Sequence, residues 1–129
     1  MKVLKTIKLL LLITFVSVGI NLSAQDFSSI GESIEKGDVV SLSTHFDSNP
    51  ELTILNIESI YSNTQMSVIL KDFFSKNKPL SYNVIHHGNS MNGTFFQIGE
   101  LSTSTVVFRT YLFIKNVNGV FLIQEFRIE

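Results

Sequence analysis

Cysteine and tryptophan are absent from the 129 residues, and proline occurs only twice. Without cysteine there is no disulfide, no thiolate metal site and no lipid attachment at a lipobox cysteine. With only Pro50 and Pro79 there is no Pro-rich linker, and no internal repeat or low-complexity tract divides the chain. One domain is the reading for this length. Long apolar runs are missing too. The longest, Leu9–Ile20, spans 12 positions, short of the ~20 residues a membrane-spanning helix needs. Cations are scarce, with 10 Lys and Arg against 11 Asp and Glu. Nucleic acid is therefore not an expected partner, because phosphate neutralisation needs clustered Lys and Arg.

What is present begins with an uneven N-terminus. Lys2, Lys5 and Lys8 precede the apolar run, and Leu22-Ser23-Ala24 follows it. A basic start, a short apolar stretch and a small residue before the cut are the plan of a secretory signal peptide. The expectation is a signal peptide over residues 1–24 and a single domain over 25–129. Removing Lys2, Lys5 and Lys8 from the 10 basic residues leaves 7 against 11 acidic ones, net −4. The protein is read as exported, periplasmic or extracellular, with no membrane span after cleavage. A disulfide-free domain of this size relies on its core, and one of ~105 residues buries roughly 60–70% of its unfolded surface. The 11 Phe are suited to that.

Phe27, Ile30 and Ile34 recur at helical spacing from about Asp26, and Lys36-Gly37-Asp38 reads as a stop followed by a new cap. Val39, Leu42 and Phe46 continue as a second short helix to about His45, closed by Asn49-Pro50. Glu51–Leu55 reads as a strand. Ser62 and Gln65 have capping-box spacing, and Met66, Ile69, Leu70 and Phe73 form an apolar stripe on the helix that follows. Four strands come next, over Leu80–His87, Thr94–Leu101, Thr105–Lys115 and Val120–Ile128. The loop Asn89–Gly93 and the hairpin signal Asn118-Gly119 separate them.

The last hairpin has two candidate registers. A two-residue turn sets Arg109 opposite Ile128. A bulge at Gly119 sets Arg109 opposite Arg127. The bulged register is preferred, because it collects Val106, Phe108, Leu112, Ile114, Val120, Leu122, Phe126 and Ile128 on one face. Arg109, Tyr111, Phe113, Lys115, Phe121, Ile123, Glu125 and Arg127 then share the other face.

Glu51-Leu52-Thr53-Ile54, Tyr61-Ser62, Ile69–Phe74, His87-Gly88, Phe108-Arg109, Leu122-Ile123-Gln124 and Arg127-Ile128-Glu129 together resemble domain-of-unknown-function family 4783. Its members are small exported bacterial proteins, mostly from Bacteroidota. The resemblance spans essentially the whole mature chain. It implies an α+β, cone-shaped nuclear-transport-factor-2-like fold, with helices packed on a curved antiparallel sheet and often a pocket between them. The superfamily includes isomerases, dehydratases, cyclases, binding modules and dimerisation scaffolds. The family itself implies no assigned activity.

Three constellations remain. His86-His87 point to opposite faces if extended, so they cannot chelate one ion, and no metal or other cofactor is expected. Acid–base chemistry needs a carboxylate beside a His or Tyr in the pocket. Asp26 and Asp38 read as caps and Asp72 as surface, so no catalytic residue is assigned. Arg109, Tyr111, Glu125 and Arg127 form the best polar cluster. Its functional reading is a ligand-binding site for a small anion, through paired guanidinium groups; the plainer reading is a solvated or dimer-facing sheet surface. The favoured reading is thus a non-enzymatic small-ligand-binding or scaffolding protein, meeting a small anionic ligand or a protein partner. The alternatives are an isomerase- or dehydratase-like enzyme using His86 or His87, and a structural homodimer.

Overall fold

The computed structural model describes residues 26–90 and 92–129. The expected signal peptide and position 91 of the Asn89–Gly93 loop lie outside the described residues. The elements are α1 (Ser28–Lys36), α2 (Val39–Ser43), β1 (Phe46–Ile54), β2 (Ile57–Ile60), α3 (Asn63–Lys76), β3 (Pro79–Asn89), β4 (Thr94–Thr103), β5 (Val107–Val117) and β6 (Val120–Ile128). The six strands form one sheet in the order β2-β1-β6-β5-β4-β3. All neighbours are antiparallel except β1 and β6, which run parallel.

Local chemistry explains most boundaries. Gly37 ends α1 at φ +62, a left-handed cap that costs glycine little. Asp38 caps α2 by accepting from Ser41 N at 3.1 Å. Ser62 and Gln65 form the full capping box at the start of α3: Ser62 Oγ accepts from Gln65 N and Gln65 Oε1 from Ser62 N. At the sheet end, Asn118 and Gly119 both take positive φ. That is the two-residue turn whose twist suits a hairpin.

Three expectations need correction. α2 stops at Ser43, and Asn49-Pro50 lies within β1 rather than closing a helix. The β1–β6 pairing shifts register between Phe46 and Glu51, and an irregular stretch tolerates a proline without a donor. β2 was not read at all. Its hairpin turns on Leu55 (φ +52) and Asn56 (φ +79), a turn without glycine. Leu55 N donates to Ile128 O at 2.9 Å, which helps hold it.

The third correction is the register of β5 and β6. Val117 pairs with Val120, so no bulge occurs at Gly119; it falls at Gln124, between the Phe113↔Glu125 and Ile114↔Ile123 pairs. Arg127 therefore faces Tyr111, and Arg109 exchanges backbone hydrogen bonds with Glu129. The two arginines are not directly opposed. Burial explains the choice. Phe126 and Ile128 face the core at even positions, whereas Ile123 faces it at an odd one, and all three are fully buried. One extra residue at Gln124 makes both parities inward.

The core lies between the helices and one sheet face. Ile30 and Ile34 of α1, Leu42 of α2, and Met66, Leu70, Phe73 and Phe74 of α3 pack with Leu52, Leu101, Phe108, Leu112, Ile114, Ile123, Phe126 and Ile128. Phe73 meets Phe108 edge-on at 5.2 Å, and Phe46 meets Phe126 at 5.9 Å. Ile69 of the expected stripe is only half-buried. No helix among the described residues is long and apolar enough to cross a membrane.

Candidate functional site

The helix-covered face does not fill to its end. Between the start of α1 and strands β3–β5 lies an open cavity of about 620 Å³, within the range of small-molecule sites. Its walls include Phe27 just ahead of α1, Gly31 of α1, Val84, His87 and Gly88 of β3, Phe95 and Gln97 of β4, and Ile114 of β5. Phe27, Phe95 and Phe121 meet edge to face, with ring centroids 5.3–5.8 Å apart. Phe27 and Phe95 thus make an aromatic wall, and Phe121 packs against both rings.

A polar core stands beside that wall. Tyr82 crosses from β3 over Gly99 of β4. A Cβ on Gly99 would sit 2.6 Å from the tyrosine ring, so only glycine leaves room for it. The Tyr82 hydroxyl accepts from Gln97 Nε2 at 2.9 Å and from Thr110 Oγ1 at 3.3 Å. Burial pushes the Tyr82 phenol above its usual range, against the opposing effect of those two hydrogen bonds. Gln97 is 7% exposed. His87 lies directly opposite it on β3. At the rim, the Asp26 carboxylate accepts from Ser28 N at 2.8 Å, which lowers its pKa.

A bulge in β3 between Val84 and His86 decides which histidine reaches the cavity. His86 pairs with Ile98 on the outer face, where its ring lies 5.5 Å from Phe96. His87 lines the cavity. The two rings do point apart, as the strand geometry required. Among the described residues the cavity wall includes no glutamate, and its one carboxylate is Asp26. Tyr82, Gln97 and Phe27 went unassigned in the sequence. The signal that could have found them is the glycine at position 99, opposite a β3 that carries Tyr82 and two histidines.

The outer face holds the four residues singled out from the sequence. Arg109, Tyr111, Glu125 and Arg127 do come together, lining a shallow depression of about 260 Å³ with Ile98 and Glu129. Arg127 is held by Glu125 (Nε to Oε1, 3.7 Å) and Glu129 (Nη2 to Oε1, 3.4 Å). Nε lacks a hydrogen-bond partner, as does the hydroxyl of Thr53, its neighbour on β1. Glu100 lies opposite Arg109. Glu51 lies opposite Glu125; a hydrogen bond with Glu58 chiefly raises its carboxyl pKa, followed by burial and the charge of Glu125. Tyr111 is raised by burial, then by Glu125. Carboxylates therefore outnumber guanidinium groups here.

Helices on one face of a curved six-stranded sheet, with a cavity beside the first helix, make a nuclear-transport-factor-2-like α+β fold. The chain belongs to the domain-of-unknown-function family DUF4783, whose model matches residues 27–129. The resemblance seen in the sequence is thereby shown. A crystal structure of a DUF4783 family protein from Bacteroides fragilis YCH46 is 28% identical, with TM-score 0.76, covering 81% of this chain and 97% of that one. Another, from Bacteroides uniformis ATCC 8492, is 25% identical, with TM-score 0.77 and coverages of 81% and 96%. An NTF2-like protein of unknown function from Cytophaga hutchinsonii shares the fold at 9% identity and TM-score 0.58, covering 84% and 93%. No curated protein matches the chain.

Proposed function

We propose that the protein is an exported binding module that encloses a small, mainly apolar molecule in the cavity between α1 and β3–β5. One observation carries this reading: an open space of about 620 Å³ with an aromatic wall and few polar groups, where a filled core would otherwise be expected. Export rests on the Lys-rich start and the short apolar run before Ala24.

The cavity is preferred to the arginine cluster on electrostatic grounds. Glu125 and Glu129 already engage Arg127, so an incoming anion would compete with fixed carboxylates. Acid–base catalysis is the second choice, because among the described residues His87 has no carboxylate hydrogen-bond partner and Asp26 is engaged at the rim.

The test uses N-phenyl-1-naphthylamine, a neutral ring probe that fluoresces in apolar surroundings. One saturable site per chain is expected. Val84→Trp, on the cavity wall where Val84 is 45% exposed, fills the space without overpacking the core and should abolish the signal. Unsaturable binding, or binding untouched by Val84→Trp, would refute the reading.

A further inference from the structure

The depth of the cavity contains an unused hydrogen-bond acceptor. Gln97 is more than nine-tenths buried and lines the space. Its amide nitrogen is committed to the Tyr82 hydroxyl at 2.9 Å. Thr110 Oγ1, donating to the same hydroxyl at 3.3 Å, helps pin that arrangement. The other end of the amide, Oε1, has no hydrogen-bond partner among the described residues. It is also absent from the side-chain atoms that are sealed from solvent and unpaired, which among the described residues are Thr53 Oγ1 and Arg127 Nε. Among the described residues the carbonyl oxygen of Gln97 is thus unpaired and open to the cavity, while its amide nitrogen is anchored on Tyr82.

A ligand that covers this acceptor must supply a donor, because covering it without one would leave it buried and unpaired, which is costly. The charge of the ligand follows from the surroundings. A full charge beside Gln97 would have to shed water among Phe27, Phe95 and Ile114 with no counter-ion at that depth. An anion would also pass Asp26 at the rim, whose lowered pKa keeps it ionised near neutral pH. The body of the ligand follows from the walls. Edge-to-face aromatics 5.3–5.8 Å apart favour a flat ring over a flexible chain.

We infer that the cavity selects a neutral, ring-containing alcohol or phenol, with the hydroxyl donating to Gln97 Oε1 and the ring lying against Phe27 and Phe95. This rests on the binding role proposed above and adds to it the class of ligand and the residue that selects it. His87, opposite Gln97, flanks the hydroxyl position with a second polar group.

Three matched probes test the inference at pH 7 on the mature protein: 2-naphthol, 2-methoxynaphthalene and naphthalene. They share the ring system, and only the first donates a hydrogen bond. One neutral hydrogen bond to a buried acceptor corresponds to a preference of roughly 3- to 10-fold, so 2-naphthol should bind that much more tightly than the other two. Gln97→Met keeps the side-chain length and removes the acceptor, and it should bring the three to parity. Val84→Trp should abolish binding of all three.

Equal affinities in the unmodified protein would overturn the inference and leave the cavity reading intact. Tighter binding of 2-methoxynaphthalene would also overturn it, because the cavity would then be offering a donor. A 2-naphthol preference that survives Gln97→Met in a variant melting like the parent would assign selectivity to another residue. The unmodified protein alone decides the first two outcomes, so the inference is testable even if Gln97→Met folds poorly. If N-phenyl-1-naphthylamine fails to bind as well, the cavity reading itself falls.

Discussion

Tyr82 shows how one side chain couples packing to chemistry. Its ring occupies the space that Gly99 leaves, and its hydroxyl holds the Gln97 amide in place. Because burial raises its pKa above the ordinary 10.0, the folded state resists its ionisation. The stability it contributes is fully present below pH 10 and is lost as the pH rises from there through the folded value. Urea melts of the parent and Tyr82→Phe between pH 8.5 and 11 should show a steeper loss in the parent. Identical slopes would mean that the phenol titrates normally. Arg127 belongs to the same scale. Its side chain is 41% exposed and lies near two glutamates. Arg127→Gln should cost no more than about 1 kcal/mol, and the cost should shrink as salt rises. A loss of 3 kcal/mol or more, unaffected by salt, would mark it as a buried ion pair instead.

At the scale of elements, the caps and the meander were legible because each depends on neighbours in sequence. Ser62 and Gln65, Gly37 and Asp38 act within a few residues of themselves, and each does in the structure what its spacing implied; Asn118-Gly119 does turn the hairpin, but as a two-residue turn without the preferred bulge. β2 was not legible, because the Leu55-Asn56 turn lacks the glycine that usually marks a hairpin. The bulge at Gln124 was missed for a different reason. Its cause is a switch in apolar parity between Ile123 and Phe126, which no single alternating pattern over the strand can express. Distant groups also fix it: Gln124 Nε2 donates to Asp47 Oδ2 at 2.9 Å, across a separation that no local pattern encodes. The arginine cluster was gathered correctly but its pairing was not, since that pairing depends on the bulge. The α3 stripe was read well enough to support a strong expectation. Phe73 is 6% exposed and contacts both Phe74 and Phe108, so Phe73→Ala should destabilise by ~3–5 kcal/mol in denaturant melts. A loss under 1 kcal/mol would show that α3 does not pack on the sheet as described.

At the scale of the molecule, a chain without disulfides packs its core between helices and sheet and leaves the cavity beside α1 open, with a smaller one of about 430 Å³ between α3 and the β1–β2 hairpin. α1 forms one wall of the opening, and Asp26 and Phe27, just ahead of it, contribute the rim and part of the lining. Cleavage after Ala24 would place the new terminus, Gln25, next to Asp26. Mass spectrometry of protein recovered from the periplasm or medium should give an N-terminus at about Gln25, whereas an intact Met1 would refute export by cleavage. The most direct test of the cavity as the functional site is a titration of the isotope-labelled mature protein with 2-naphthol, followed by amide chemical shifts. Saturable shifts centred on Gly31, His87, Gly88, Gln97 and Ile114 are the expected result. Shifts centred on Arg109, Tyr111 and Arg127, or no saturable shift at all, would contradict it.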